Sequence, residues 1–358
     1  MSSFFRRSTP PSTPSSSLTS ITAIKTVLPT PTLKVTPTRP ALPEGEHLEL
    51  YNQLLAHVSK AGYSLPVGEN KMELRALAKG EKMWLTEDCL LRYLRAQKWD
   101  LASATTKLEV TLIWRRENGL ADDDGGEGEG GGLTAALIKS EGRCGKDYCN
   151  GWDETGRPLH YQVPSRNEST DSALNVKYCV WVMERSIDLM PPGIEKQVLL
   201  VNFAGGMSPP PIATVRGWIS MLSHHYPERM GKAIAINVPW ILNAFFKIIL
   251  PLIDPITRAK LSFNEAAPWV PDDQLETAYG GKFEFQYDQE IYSPSLTALC
   301  AERRKSYRAR WEADGARIGA SEWVLRGGDE LFPQAQSVER QEPSIGNAET
   351  DPIVIPQK

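Results

Sequence analysis

From residue 46 onward the chain carries apolar residues at helical spacing. Leu48, Tyr51, Leu54, Leu55 and Val58 recur at intervals of three and four, which predicts a helix that buries one face. A second helix is expected over about 87–97. Asp100 then has the chemistry of an N-cap, and Leu101, Ala104, Leu108 and Leu112 share one face of a third helix behind it. That pattern stops at Gly119, where Asp122, Asp123, Asp124, Glu127 and Glu129 run together with a cluster of glycines, the composition of a linker or loop insertion. Beyond it, short apolar runs alternate with helical ones. Strands are predicted at Pro158–Val163, Gln197–Phe203, Ala233–Val238 and Phe283–Tyr287, and helices near Ala173–Leu189, Ile212–His225, Trp240–Leu250 and, shorter, near Asp273–Tyr279. Alternation of this kind implies an α/β domain with a mostly parallel sheet. A polar helix containing Arg303, Arg304, Lys305, Arg308 and Arg310 follows.

One predicted helix has too much apolar surface for its position. The stretch Val238–Ile253, VPWILNAFFKIILPLI, holds 12 apolar residues in 16. Wound as a helix, Trp240, Ile241, Leu242, Phe245, Phe246, Ile248 and Ile249 cover most of the circumference, and only Asn243 and Lys247 share a polar edge. A helix that covers a core needs only a stripe. A transmembrane span is disfavoured, since Lys247 and Pro251 interrupt a run that is already short. A fully buried core helix and a helix that walls an apolar cavity both fit. Charged and hydrogen-bonding residues flank the stretch, with Glu228 and Arg229 before it and Asp254, Thr257, Arg258 and Lys260 after it. An apolar wall with cations at its ends suits an anionic lipid.

Composition sharpens the boundaries. Residues 1–44 are rich in Pro, Ser and Thr and carry five basic residues before Glu44, so they read as a disordered tail. The expected division is a helical module over 45–120, the acidic glycine-rich insertion over 121–132, a main domain over 133–290, a helical extension over 291–332 and a second disordered tail over 333–358. The formal charge of −4 gives no reason to expect a nucleic-acid partner. Five scattered cysteines fit reduced thiols in the cytoplasm. Gly126, Gly128 and Gly131 match a dinucleotide-binding spacing, but no strand precedes them and Glu127 and Glu129 would repel a pyrophosphate. His224 and His225 are adjacent, a spacing that suits zinc poorly, and no metal site is expected. No nucleophile stands in a recognisable motif, so a lipid head-group enzyme is the weaker class of reading.

The segment HHYPERMGKAIAINVPWILNAFFKIILPLIDPITRAKLSFNE resembles the lipid-binding core of the CRAL-TRIO family, and in particular the fungal phosphatidylinositol transfer proteins. LLRYLRAQKWDLASATTKLEVTLIWRRENG resembles the family's N-terminal helical module, and DETGRPLHYQVPSRN, VLLVNFAGG and AYGGKFEF extend the likeness. The C-terminal region resembles the branch associated with drug resistance and sterol homeostasis. The resemblance implies a helical bundle beside a mixed, mostly parallel sheet, with helices enclosing an apolar lipid pocket and a mobile gate helix near Trp240–Leu250. It implies a non-enzymatic carrier that binds phosphatidylinositol, exchanges it at membrane surfaces and presents it to a phosphatidylinositol kinase. The same pocket taking a sterol is the alternative. Residue by residue, it puts Glu228, Arg229, Thr257 and Lys260 at the inositol-phosphate site and Lys98 at a further basic position. Lys260 and Arg229 are expected to neutralise phosphate. The bound phospholipid is cargo, no cofactor is implied, and the expected location is cytoplasmic, peripheral on internal membranes or lipid droplets.

Overall fold

The computed structural model describes residues 23–121, 132–206, 212–240, 242, 247–248, 250–253, 255–263, 267–333 and 337–338. The side chains of 212–216, 256–257, 267 and 337–338 fall outside that description.

The helical module is built by α1 (Gly45–Val58), α2 (Lys79–Trp84), α3 (Glu87–Ala96) and α4 (Leu101–Glu117). The Thr86 hydroxyl caps α3 by accepting from the Cys89 amide at 3.0 Å, and Asp100 caps α4 through the Ser103 amide at 2.8 Å. Tyr51, Leu54 and Val58 of α1 and Ala104, Leu108 and Leu112 of α4 are buried together, as the helical spacing predicts, and Leu90, Leu91 and Leu94 of α3 complete the cluster. A short antiparallel ribbon, Ser64–Pro66 against Leu74–Ala76, precedes α2.

The main domain is a five-stranded sheet with strands in chain order: β1 (Asp147–Trp152), β2 (Pro158–Gln162), β3 (Gln197–Asn202), β4 (Met230–Ile236) and β5 (Leu261–Phe263). The β1 and β2 pair is antiparallel and every later pair is parallel. Helix α5 (Ser172–Asp188) connects β2 to β3, and α6 (Ile212–His225) connects β3 to β4. Parallel neighbours need such crossovers. The module docks onto this layer through α4. Arg115 donates to Glu184 of α5 at 2.8 Å, Tyr226 donates to the same carboxylate oxygen at 2.8 Å, and Trp114 stacks on His225 with ring centres 4.2 Å apart.

Helix α7 (Gln289–Ala313) lies against α5, where Arg304 pairs with Asp188 at 2.6 Å. The short helix α8 (Glu322–Leu325) then returns the chain to the module, and Trp311 and Trp323 are buried in this extension.

Several expectations are corrected. Phe283–Tyr287 is not a strand of the sheet: Phe283 and Phe285 make only single bridges, to Glu276 and Ile24. The fifth strand is the three-residue β5, too short for an alternating pattern to reveal. The helix expected near Asp273–Tyr279 is one 3-10 turn, Thr277–Tyr279, closed by Gly280 in the left-handed region at φ 93°. Of the tail expected over 1–44 as disordered, residues 1–22 lie outside the described residues and residues 23–44 run along the main domain. Val27 joins the core of the main domain, Lys25 pairs with Asp288 at 3.0 Å, and the Thr32 hydroxyl donates to Asp273 at 2.6 Å. Composition hid this strap because prolines and threonines break up its apolar residues and leave no periodic pattern. Ser337 and Val338 of the second tail bridge Arg39 and Pro40 in parallel. Of the acidic insertion, 122–131 lie outside the described residues, but its two ends meet, since the Leu133 amide donates to the Gly119 carbonyl at 3.2 Å.

Candidate functional site at the strand entrances

Parallel strands begin at the same edge of a sheet, so the residues that enter them gather in one place. Glu195 and Lys196 lead into β3, Glu228 and Arg229 into β4, and Lys260 into β5. The Ala233 amide donates to the Lys260 carbonyl at 3.0 Å, which fixes the entrance of β5 beside β4. Glu228 stands in the left-handed region at φ 58°, an arrangement that disfavours a residue with a side chain.

Helix α3 brings its last turn to this edge. Arg95 Nε donates to Glu228 Oε2 at 2.7 Å, and its Nη2 donates to Glu195 Oε2 at 3.2 Å. Arg92, one turn earlier, donates to Glu195 Oε2 at 2.9 Å and to Glu322 Oε1 of α8 at 2.7 Å. Arg229 donates to the Glu195 carbonyl at 2.9 Å and lies 3.7 Å from Glu322. A line of ion pairs thus ties the module, the sheet and the C-terminal extension together.

Electrostatics divide this line in two. Around Glu322 the charges are buried and closely paired. Burial alone would raise the Glu322 carboxyl, but Arg92, Arg229 and Arg326 hold it well below the usual carboxylate range. Asp88, which accepts from the Glu322 amide at 2.8 Å, is pushed up to about 7 by burial and by Glu322 and Glu195 beside it. Burial, with Arg92 nearby, brings the Arg229 guanidinium down to about 10. Toward Glu228 the side chains are only half-buried, and burial lowers the Lys196 ammonium, which feels Glu228, Lys260, Glu195 and Arg95 together.

Models of the CRAL/TRIO domain and of its N-terminal domain match residues 142–281 and 50–109. The phosphatidylinositol transfer protein PDR17 of Saccharomyces cerevisiae is 34% identical over 293 residues, covering 78% of this chain and 83% of its own length. This chain belongs to the CRAL-TRIO family. A CRAL-TRIO domain-containing protein of Schizosaccharomyces pombe is 39% identical over 87% of this chain, which spans only 30% of that longer protein. The SEC14 cytosolic factor of Candida glabrata is 26% identical over 58% of this chain and 74% of its own.

Within the CRAL-TRIO fold, the residues expected at the head-group site divide. Glu228 and Lys260 come together at the strand entrances, the one held by Arg95 and the other half-buried. Thr257 lies in the helical turn Pro255–Arg258 that leads to Lys260, and its side chain is outside the described residues. Lys98 is exposed just past the end of α3, held in the left-handed region at φ 53° with its amide donating to the Arg95 carbonyl. Arg229 is buried, and its described side-chain contacts run to Glu195, Met190 and Glu322. Its charge is already engaged with Glu322. Sequence reading passed over Arg92, Arg95, Glu195 and Lys196. Two arginines three residues apart among the apolar residues of the Cys89–Ala96 part of α3 are a readable sign of a buried ion pair.

The expected gate is described only in part. Trp240 is 73% exposed and Ile248 50% exposed, while Leu242 is buried. The side chains of Ile241, Phe245, Phe246 and Ile249 lie outside the described residues. Trp269 is also exposed, with the Lys232 ammonium 3.4 Å from its ring centre. A cavity of about 230 Å³ lies elsewhere, between α5 and α7, lined by Arg185, Thr297, Cys300 and Arg304. It is smaller than the roughly 300 Å³ at which sites for drug-sized ligands begin, and two acyl chains need more than that.

Proposed function

We propose that the protein is a carrier that binds phosphatidylinositol in the CRAL-TRIO pocket, moves it between membranes and presents it to a lipid kinase. The observation that carries this reading is the convergence of Lys260, Lys196, Glu228 and Arg95 at one edge of the sheet in a chain closely related to PDR17. Ammonium groups answer a phosphate, and a carboxylate held by Arg95 accepts from inositol hydroxyls. Glu228 and Glu195 are both engaged by arginines, which suits recognition and offers no base to activate a nucleophile. The task itself needs no covalent step. Hydrating the chains of a lipid that leaves a bilayer costs about 0.8 kcal/mol per CH₂, on the order of 25 kcal/mol for two chains of about 16 carbons. Shielding those chains lowers that barrier.

Contact with membranes is peripheral and transient in this reading. Among the described residues no helix is long and apolar enough to cross a membrane, and Trp240, Ile248 and Trp269 supply exposed apolar contacts. The test is mass spectrometry of lipids extracted from the purified protein, followed by transfer of labelled phosphatidylinositol between vesicles. Co-purified phosphatidylinositol and transfer that falls at least about tenfold in Lys260→Ala are expected. Absence of both, or turnover of the lipid into a new compound, overturns the reading.

A further inference from the structure

Charge and space at the strand entrances point to a more specific ligand. Five cations, Arg92, Arg95, Arg229, Lys196 and Lys260, share three carboxylates, Glu195, Glu228 and Glu322. Arg326 also draws on Glu322, and Asp88, the remaining acid of the group, holds its proton up to about pH 7. Positive charge is therefore in surplus among the described residues, and the surplus is not spread evenly. The arginines are matched to Glu195, Glu228 and Glu322, whereas no described residue accepts a hydrogen bond from the Lys196 ammonium.

The backbone is shaped around this lysine. Gln197 pairs with Met230 but Val198 pairs with Lys232, so Gly231 is the extra residue of a β-bulge directly opposite the start of β3. A Cβ on Gly231 would stand 3.2 Å from Lys196 Cβ and 3.2 Å from Arg157 Cδ. The bulge and the missing side chain leave a channel for the Lys196 stem, and bulges commonly re-aim a side chain in this way.

Building on the carrier reading above, we infer that Lys196 is a further head-group-binding residue and that, with Lys260, it fits the site to an inositol head group bearing a second phosphate, a monoester on the ring. A phosphodiester brings one negative charge, less than the surplus. A monoester adds about 1.5 to 2 more and three acceptor oxygens. The ligand class is a monophosphorylated phosphatidylinositol.

The experiment compares three vesicle cargoes, phosphatidylinositol, phosphatidylinositol monophosphate and phosphatidylcholine, with the full chain and with Lys196→Gln, Lys196→Arg and Lys260→Ala. The wild-type protein should extract the monophosphate at least as well as phosphatidylinositol. Lys196→Gln should lose about tenfold more on the monophosphate than on phosphatidylinositol, and an unchanged urea-unfolding midpoint shows that the variant is folded. Lys196→Arg should keep most of the selectivity. Equal effects of Lys196→Gln on both lipids, or a wild-type protein that carries phosphatidylinositol but not its monophosphate, overturn the inference and leave the carrier reading standing. Failure to carry any inositol lipid overturns the carrier reading itself. A further arm adds the deacylated, water-soluble head group. If it binds as tightly as the lipid, the site serves a soluble inositol phosphate and the lipid assignment is wrong.

Discussion

The two halves of the ion-pair line differ in what their charges do. Around Glu322, Arg92, Arg229 and Arg326 converge on one buried carboxylate, and their hydrogen bonds go to neighbours within the protein. Around Glu228, the carboxylate is partly exposed and two ammonium groups stand near it without taking its hydrogen bonds. The first half is a joint between the module, the sheet and the extension. The second is an incomplete shell. Buried pairs are costly to break but add little when intact, whereas half-buried surplus charge costs little to keep and is satisfied by a ligand. A site and its scaffold can thus share one line of side chains.

The largest expected effect tests the joint. Glu322→Ala leaves Arg92, Arg229 and Arg326 without their shared carboxylate and should cost about 3–5 kcal/mol in urea unfolding. Lys260→Ala should change stability by less than about 1 kcal/mol while removing transfer. If both substitutions unfold the chain equally, the distinction between joint and shell is lost.

A titration gives the next effect. Asp88 keeps its proton in the folded chain up to about 7, whereas an exposed aspartate releases it near 3.9. Between those values the folded chain binds the additional proton, so stability falls as pH rises through the window, by on the order of 1 kcal/mol per unit for one such group. Glu276, raised by burial to about 8, and Asp188, raised by burial to about 7, add slopes of the same sign. Glu322 acts oppositely: its contribution is complete above the ordinary glutamate range and is lost only in strong acid. Denaturation midpoints of Asp88→Asn at pH 5 and pH 7.5 should therefore lie closer together than those of the parent. An unchanged slope would show that Asp88 does not titrate in this window.

The smallest effect sharpens the shell. Gly231→Ala places a methyl group 3.2 Å from the Lys196 and Arg157 stems, so head-group affinity should fall a few-fold with little loss of stability. Binding that stays unchanged would mean the Lys196 stem moves aside freely.

Legibility in the sequence followed length and period. Helix α4 repeats its apolar residues over three turns, so Ala104, Leu108 and Leu112 were readable as core. A three-residue strand such as β5 has no period to read. The strap over residues 23–44 was hidden because Ile24, Val27, Leu28, Leu33, Val35 and Leu42 lie among prolines and threonines with neither a helical nor a strand period. At the site, Glu228 and Lys260 lie more than thirty residues apart, and only the family likeness joined them. Lys196 stood beside an apolar strand like any solvated flank. Its setting appears only once the bulge at Gly231 and the entrance of β4 are brought alongside it. Nothing in the chain around Arg229 announces its pairing with Glu322, nearly a hundred residues away.

The meeting of Gly119 and Leu133 has a practical side. The chain returns to the main domain where it left α4, with Leu120 and Leu133 buried on either side and Gly119 at φ 67° making the turn. Sequence between the buried Ala121 and Gly132 can be exchanged without changing the distance that the fold must span. A fluorescent domain whose own termini are close together could be spliced there, giving a carrier that reports its arrival at a membrane while both of its ends stay as they are.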